Sequence, residues 1–377
     1  MEMYLRRCLD SLIIDEEGMK QLEVLVINDG SKDSSSQIAH EYQDKYPDTY
    51  RVIDKENGNY GSCINRGLKE ATGKYVKVLD ADDKFDTVVF AEYFNYLLSY
   101  NADIFVTDVS ILNSNGKLTE KWNNNYVPFK LMEISTLSAA WIHNLTYRLD
   151  LFNSIDYVQT EGISYTDEEF AFFPIQNAKS FVYLPILLYN YYLGRDGQTM
   201  NVDVWKKNFY QEIVVSKKML EFWRDNQARL HDSTNPMQDK LVNRVNHFFH
   251  RTLLEYGMKD IKDIAEFDKY VKTVSPDLYQ ITTETAIADN RIQFHYLKNW
   301  RKHDYKFSNF NMFYISVRLL FLLRKVKKKM YPVICRFFTH LYKKKNVNIE
   351  NFAGGGNRYV SISYFATPSV EERRVAC

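Results

Sequence analysis

Short apolar runs alternate with helix-like segments through the first 115 residues, and this alternation is the strongest constraint on the fold. The runs have the length and composition of buried strands, and turn and helix N-cap residues follow the first of them. Strands that alternate with helices predict an α/β fold with a mostly parallel sheet. The predicted strands are Leu22–Asn28, Tyr50–Asp54, Lys74–Leu79 and Ala102–Leu112, and the predicted helices are Tyr4–Ile14, Gln37–Tyr46, Tyr60–Ala71 and Thr87–Tyr100.

Carboxylates follow two of these strands directly. Asp29 ends "VIND", and Asp80 and Asp82 lie in "KVLDADD". Ligands of parallel α/β sheets bind beyond the carboxyl ends of the strands. On a continuing strand Asp80 and Asp82 face the same side, where their mutual repulsion favours a divalent cation. Mg²⁺ and Mn²⁺ take oxygen ligands, typically one or two carboxylates and the phosphates of a substrate, so the pattern predicts a metal that carries a diphosphate.

Each of these acids also has a structural explanation. A short acidic pair is common in solvated turns, and we assign Asp83 and Asp86 to such a turn or to the cap of the helix that begins near Thr87. Asp29 precedes Gly30 and Ser31, as a turn aspartate does. Asp167 begins an acidic trio of the kind that starts solvated helices.

Several motifs, in this order, resemble glycosyltransferase family 2, the inverting enzymes that use nucleotide sugars. They are "YLRRCLDSL", "EVLVINDGSKDSS", "ENGNYGSCINRGLKEATGKYVKVLDADD", "YTDEEF" and "YYLGRDGQTM", and they lie between Tyr4 and Met200. The resemblance implies a GT-A-like (Rossmann-like), mostly parallel sheet flanked by helices. A helical C-terminal region follows it in this chain.

The resemblance also implies roles for individual residues. Asp29 is similar to the acid that reads the nucleotide base, Asp80 to the acid near the ribose and the metal, and Asp82 to the principal metal ligand. Asp167 matches the acid that acts as the catalytic base. Arg195, in "GRDGQTM", falls where family members place residues near the diphosphate or the acceptor.

These roles imply one reaction. A cofactor, Mn²⁺ or Mg²⁺, neutralises the diphosphate of a UDP-sugar donor, and Asp167 removes a proton from a saccharide or lipid-linked glycan acceptor. The expected process is cell-surface polysaccharide synthesis. Two alternatives remain: a non-catalytic remnant that acts as a membrane-associated binding protein, and a nucleotidyltransferase, which would need a Gly-rich basic phosphate loop.

The sequence departs from the family in two places. Family members begin with an apolar strand before the "YLRRCLDSL" helix, and only "MEM" precedes it here, so we expect a sheet that lacks this strand to be poorly stable or inactive. Ile64 stands where many members have arginine, and Lys77 or Arg66 is the candidate for the missing positive charge near the nucleotide sugar.

Patterning divides the chain into five segments. The stretch 310–345 joins apolar runs to Lys and Arg clusters, and between Tyr305 and Ile349 there are eleven basic and no acidic residues. We expect it to lie on an anionic membrane surface and not on nucleic acid, the alternative being a packed helix pair with solvated lysines. The segments are the nucleotide-sugar-binding half 1–115, the acceptor half 116–200, the helical region 201–309, the basic segment 310–345 and the weakly structured tail 346–377.

The expected location is the cytoplasm, at the inner face of the membrane. The four cysteines have no zinc or disulfide spacing, which is typical of free thiols in a reducing compartment. No signal peptide is visible, and no apolar run reaches the 18 or so residues of a membrane span.

Overall fold

The structure is a computed structural model of the 377-residue chain. It describes residues 1–137, 140–194, 198, 202–230, 236–256, 261–284, 287–289 and 292–306. Two compact units are present, Met1–Val215 with Ala228–Met237, and Ser216–Gln227 with the residues from Gln238 onward. Arg195, the basic segment and the tail lie outside the described residues, so the predictions made for them stay predictions.

The first unit is α/β, which confirms the predicted class. Its strands are β1 Val24–Asp29, β2 Tyr50–Lys55, β3 Tyr75–Val76, β4 Lys84–Phe85, β5 Ile104–Asn113, β6 Leu118–Trp122, β7 Leu131–Glu133, β8 Leu145–Arg148 and β9 Ser180–Leu193. Its helices are α1 Glu2–Asp10, α2 Glu16–Gln21, α3 Ser35–Lys45, α4 Asn59–Glu70, α5 Thr87–Ser99, α6 Asp150–Asn153 and α7 Asp167–Phe172, with α8 Val202–Leu230 beginning in this unit.

The strands form two sheets. In the smaller one β1 pairs with β2 in parallel. The larger has the order β3-β8-β5-β9-β4, with β6 on β5 and β7 on β9. Parallel pairing holds for the long pair β5·β9 and for β1·β2, whereas the shorter strands of the larger sheet pair antiparallel. Among the described strands, the larger sheet is therefore mixed, with its one parallel strand pair, β5·β9, also its longest, and the smaller sheet is parallel.

Amphipathic helices close the core over these sheets. α1 buries Leu5, Cys8 and Leu9, as its helical spacing predicts. α5 begins at Thr87 because the Asp86 side chain accepts a hydrogen bond from the Val89 N–H, and this confirms the cap assigned to Asp86. The carboxyl ends of β1 and β3 lie in the same unit as these helices.

β3 is shorter than the predicted strand Lys74–Leu79. Only Tyr75 and Val76 pair, and their partner is β8. Within the described part of the chain, the other edge of β3 has no strand beside it. A strand with one partner loses its regular pairing early, so residues 77–80 continue as an irregular segment toward Asp80.

The second unit is mainly helical. Its elements are the rest of α8, α9 Pro236–Phe249, the π-helical turn His250–Glu255, α10 Lys262–Val274, α11 Pro276–Glu284, β10 Ile287–Asp289, β11 Ile292–Phe294 and α12 Tyr296–Lys302. An aromatic core joins them: the Phe267 ring lies 5.2 Å from Phe248 and 5.8 Å from Phe249, and Phe249 contacts Trp300. Among the described helices, none combines the length and the apolar character that crossing a membrane requires.

Candidate functional site

One large cavity, of about 910 Å³, runs through the first unit. Apolar side chains of α1, α4 and α5 line most of it. At one end the lining changes to polar residues, which are Tyr60, Asp80, Asp82, His143, Tyr165, Asp167 and Tyr191. The cavity therefore brings three of the predicted site acids to one place, although Asp167 lies far from Asp80 and Asp82 in the sequence.

Asp80, Asp83 and His143 form the core of this polar end. Each offers a ligand atom, and the three atoms lie within 4.8 Å of one another. The His143 Nε2 is 3.4 Å from the Asp80 Oδ2, and the buried Nδ1 of the same ring has no hydrogen-bond partner in the described structure. Two carboxylates and an imidazole suit Mn²⁺, and the carboxylates suit Mg²⁺, so the donor set fits the predicted cofactor.

Asp83 is not a solvated turn residue, and that assignment was wrong. Its side chain is fully buried, accepts the Tyr189 O–H at 2.8 Å and accepts the Tyr192 N–H at 2.7 Å. Burial, followed by the charge of Asp80, raises the pKa of Asp83 to about 9. The third acid of "DADD" is therefore a buried anchor between the acidic loop and β9.

Asp82 lies in the same loop, and Arg7 of α1 holds its backbone. The Arg7 guanidinium donates to the Asp82 carbonyl at 2.5 Å and lies 3.6 Å from the centre of the Tyr192 ring. The Asp82 side chain is 8% exposed and lines the cavity. Asp82 lies outside the three-residue group of possible ligands, so its predicted role as the principal metal ligand stays a prediction.

Asp167 begins α7 and lines the polar end of the cavity. Burial, then the charges of Asp80 and Asp167, raises the pKa of the Tyr60 phenol well above its usual value, so both carboxylates act on one ring. Glu169, in the same acidic trio, is fully buried and accepts hydrogen bonds from the Thr160 N–H and O–H. Two acids of the trio therefore differ in role: Asp167 lines the cavity, and Glu169 binds the loop before α7.

Asp29 ends β1 in a network of its own. It accepts hydrogen bonds from Lys55 Nζ at 2.5 Å and the Gly58 N–H at 2.9 Å. Burial alone would raise the pKa of Asp29, but the bonds from Lys55 and Gly58 outweigh it and hold the pKa below its usual value. Asp29 is thus an ionised acid that fixes the β2–α4 connection, and its contact with a base stays a prediction.

Lys77 and Arg66, the two candidates for a positive charge near the nucleotide sugar, lie in different places. Lys77 lines the cavity and donates to the backbone carbonyls of His143 and Leu145, and burial lowers its pKa to about 7. Arg66 pairs with Glu70 on α4 at 2.9 Å. Of the two, Lys77 is the one that faces the cavity.

Sequence reasoning missed His143, Arg7 and the tyrosines of β9. His143 lies in a short 3₁₀ helix, Ile142–Asn144, more than sixty residues after Asp80, with no metal-ligand spacing to mark it. Its ring centre lies 4.8 Å from that of Tyr189 and 4.7 Å from that of Tyr191. The alternating tyrosines of "YNYYLG" were the one available signal, because period two on a strand sends Tyr189 and Tyr191 to the same side.

Residues 2–153 match the sequence model described as Glycosyl transferase family 2. This part of the chain is similar to glycosyltransferase family 2. The crystal structure of residues 1–349 of S. aureus TarS in complex with UDP-GlcNAc aligns with a TM-score of 0.57 at 17% identity, covering 86% of this chain and 89% of that one. The likeness shows a shared fold and confirms the predicted GT-A-like class.

Two curated relatives match different shares of this chain. The minor teichoic acid biosynthesis protein GgaB of Bacillus subtilis (strain 168) is 26% identical over 239 residues, 61% of this chain and 26% of that protein. Glycosyltransferase GlyA of Streptococcus pneumoniae serotype 4 is 35% identical over 108 residues, 28% of this chain and 15% of that protein. The chain spans about a quarter or less of the length of these relatives.

Proposed function

We propose that the chain is a glycosyltransferase that moves a sugar from a nucleotide-sugar donor, a UDP-sugar, to a saccharide or lipid-linked acceptor. The transfer inverts the anomeric carbon and serves the synthesis of a cell-surface polysaccharide. The observation that carries the proposal is the meeting of Asp80, Asp82 and Asp167 at one end of a cavity in a family 2 sequence. A relative named for teichoic acid synthesis and a neighbour with bound UDP-GlcNAc support the product and donor classes.

On the donor side, Asp80 and Asp82, with Asp83 and His143, would hold Mn²⁺ or Mg²⁺. A bound cation supplies Lewis-acid neutralisation of the charge that develops on the departing diphosphate. Asp29 contacts the nucleotide base, and Lys77 and Arg195 belong to the nucleotide-sugar site. The carboxylates orient the donor because Arg7 and β9 fix the loop that carries them.

On the acceptor side, the Asp167 carboxylate removes the proton of the attacking hydroxyl. Attack from the face opposite the diphosphate inverts the sugar. Tyr60 and Tyr191 keep their protons, because burial and then the nearby carboxylates raise the pKa of both phenols. Their hydroxyls are therefore hydrogen-bond donors at neutral pH and can orient carboxylate or substrate oxygens.

Calorimetric titration of UDP with and without Mn²⁺ tests the donor site. We expect UDP binding to depend on Mn²⁺ and to weaken by about tenfold or more in the Asp80→Asn variant. Mutation of residues that only hydrogen-bond to metal ligands already lowers metal affinity by about 10–100-fold. Asp86→Asn is the matched control, because asparagine preserves the helix cap and Asp86 lies outside the cavity lining. Equal binding by the Asp80→Asn variant would contradict the assignment.

Release of UDP from a UDP-sugar tests the base in the same preparations. Asp167→Asn is expected to bind UDP normally and to release little of it, whereas the neighbouring Glu168→Gln retains turnover. If the unmodified chain and all variants bind UDP but release none from a UDP-sugar, with saccharide and lipid-linked acceptors supplied, the result would favour the non-catalytic binding protein. The proposed membrane contact of residues 310–345 is a separate property and is tested with anionic vesicles.

A further inference from the structure

The backbone pairing of β3 with β8 ends before it reaches the candidate site. Its last pair is Val76 with Tyr147. The same antiparallel register, continued along both strands, brings Asp80 opposite His143. Residues 77–80 are irregular, so backbone hydrogen bonds between the strands do not fix this approach. The contact of His143 with Asp80 therefore depends on another support.

The side chain of Lys77 supplies a connection where the pairing stops. Its ammonium donates to the backbone carbonyls of His143 at 2.9 Å and of Leu145 at 3.3 Å. A lysine ammonium has three N–H donors, so two of the three bind one short stretch of backbone. The ammonium also lies 5.9 Å from the centre of the Phe85 ring, within the range of a cation–π contact. Lys77 therefore joins the segment that leads to the acidic loop to the turn that carries the imidazole.

The 3₁₀ turn that carries His143 is held on its other side by β5. The Asn144 side-chain amide donates to the Thr107 carbonyl at 2.6 Å, and the Thr107 hydroxyl donates to the Asn144 carbonyl at 3.3 Å. Neither bond involves Lys77. Without its ammonium, the turn is therefore expected to stay attached to β5 and to lose only its connection to the acidic loop.

The ring of His143 meets the same segment at a second point. Its Nε2 is 3.4 Å from Asp80 Oδ2, and the Asp80 backbone N–H donates to the Tyr189 hydroxyl at 3.2 Å. Tyr189 also packs against the imidazole, with ring centres 4.8 Å apart. Lys77 thus binds the backbone of the turn, and Asp80 meets its ring. Loss of the backbone contact leaves the ring free to move away from Asp80.

We propose that Lys77 is a positioning residue of the cation site, which acts through His143 and does not touch the diphosphate. Its ammonium fixes the backbone of the turn, and the turn presents the imidazole Nε2 to Asp80. Groups that hold the ligands of a metal in place commonly tune its affinity. The effect on the cation rests on the proposed function, whereas the effect on the ring is a property of the metal-free chain. The two effects are therefore measured separately.

Titration of the full chain with Mn²⁺ alone tests the effect on the cation. Electron paramagnetic resonance of the free ion gives the dissociation constant of each variant. Lys77→Met is expected to weaken Mn²⁺ binding by about tenfold or more, as the loss of outer partners does at other metal sites. Lys77→Arg keeps a charged group with N–H donors, for which the cavity has room, and is expected to stay within about threefold of the unmodified chain. Lys74→Met is the matched control with unchanged affinity, because it removes an exposed ammonium from the same segment.

A double-mutant cycle with His143→Ala shows whether Lys77 acts through the imidazole. With the ring absent, Lys77→Met is expected to change the Mn²⁺ affinity by less than about twofold, because the effects of coupled residues are not additive. A loss of the same size in both backgrounds would overturn the proposal. A lower UDP affinity with unchanged Mn²⁺ affinity would also overturn it, since Lys77 would then contact the donor directly.

Nuclear Overhauser effects between the His143 and Tyr189 rings test the positioning role without metal. Histidine-selective labelling isolates the ring signals, and His143→Ala assigns them. We expect these effects in the unmodified chain and in Lys74→Met, and their loss in Lys77→Met. Ring contacts that persist in Lys77→Met contradict the proposal, whether or not the unmodified chain binds Mn²⁺. If the unmodified chain binds no Mn²⁺ but Lys77→Met loses the ring contacts, the proposed donor site fails and the positioning role is supported.

Thermal unfolding separates these effects from a general loss of folding. If Lys77→Met does not unfold cooperatively, Lys77→Gln takes its place in both measurements. The glutamine side chain is polar but shorter than lysine, so it is expected to lose the contacts with the turn while the chain stays folded. A folded Lys77→Gln variant with native ring contacts and native Mn²⁺ affinity would refute the proposal.

Discussion

Lys77 has an unusual charge state, because burial lowers its pKa to about 7. An unfolded lysine keeps its proton to about pH 10.4, so between pH 7 and pH 10 the unfolded chain binds more protons at this position than the folded chain. Lys77 therefore makes the unfolding free energy rise with pH in that window. Asp83 acts in the opposite sense up to about pH 9, because its own pKa is raised to about 9.

The Lys77→Met variant keeps Asp83, so comparing the unmodified chain with it separates the effect of Lys77 on the unfolding free energy from that of Asp83. We expect the unfolding free energy of the unmodified chain, relative to that of the Lys77→Met variant, to rise by up to about 1.4 kcal/mol per pH unit between pH 7 and pH 9. Urea unfolding at a series of pH values measures this difference. A difference that stays constant over the same range would show that Lys77 is protonated when folded.

At the level of single residues, the sequence singled out as candidate site residues the acids that lie next to a strand or begin a helix. Asp80, Asp82 and Asp167 all line one cavity in the structure. Burial of Asp83 could not be read from "DADD", because it depends on Tyr189 and on the backbone of Tyr192, more than a hundred residues away. Side chains brought in by tertiary packing carry no local pattern.

Helix α4 approaches the loop before α7 so closely that only glycine fits at position 61. A Cβ on Gly61 would lie 1.9 Å from the Thr160 carbonyl oxygen. Asn65, one turn along, accepts the Gln159 N–H at 2.8 Å and donates to its carbonyl at 2.9 Å. The contact fixes the loop that Glu169 also holds, and so positions α7.

Gly61→Ala is expected to lower the unfolding free energy by about 1–3 kcal/mol through this overlap, although alanine favours a helix by nearly 1 kcal/mol. Gly67→Ala on the same helix is the control, because its Cβ would meet nothing within 4 Å, and it is expected to stabilise the chain. Thermal unfolding of both variants gives the comparison. Stabilisation by Gly61→Ala would show that the loop moves away freely.

For whole elements, the sequence predicted the helices α1, α3, α4 and α5 and the strands β1, β2 and β5 to within about four residues. These elements could be predicted because apolar periodicity and helix caps depend only on residues close together in the sequence. It overestimated β3, because a strand's length depends on what pairs with it, and the 14-residue β9 was not predicted at all. In "SFVYLPILLYNYYL" the proline and the mixed pattern hide a strand that its pairing with β5 stabilises.

The molecule as a whole contains two units, and a buried ion pair lies in the core of the second. Arg301 of α12 donates to Asp268 of α10 at 2.7 Å, and their side chains are 5% and 0% exposed. The same guanidinium donates to the Tyr279 carbonyl and to Thr282 of α11. One residue therefore connects three helices of the unit.

Removing the acid leaves a buried positive charge without its carboxylate. Asp268→Ala is expected to cost about 3–5 kcal/mol, whereas Glu284→Ala, which removes the exposed partner of Lys298, costs about 0–1 kcal/mol. Amide exchange within α10, α11 and α12 measures the loss where it arises. Fast exchange in these helices for Asp268→Ala, with native rates for Glu284→Ala, is the expected result. Native rates in both would mean that aromatic packing around Phe249 and Trp300 holds the unit without the ion pair.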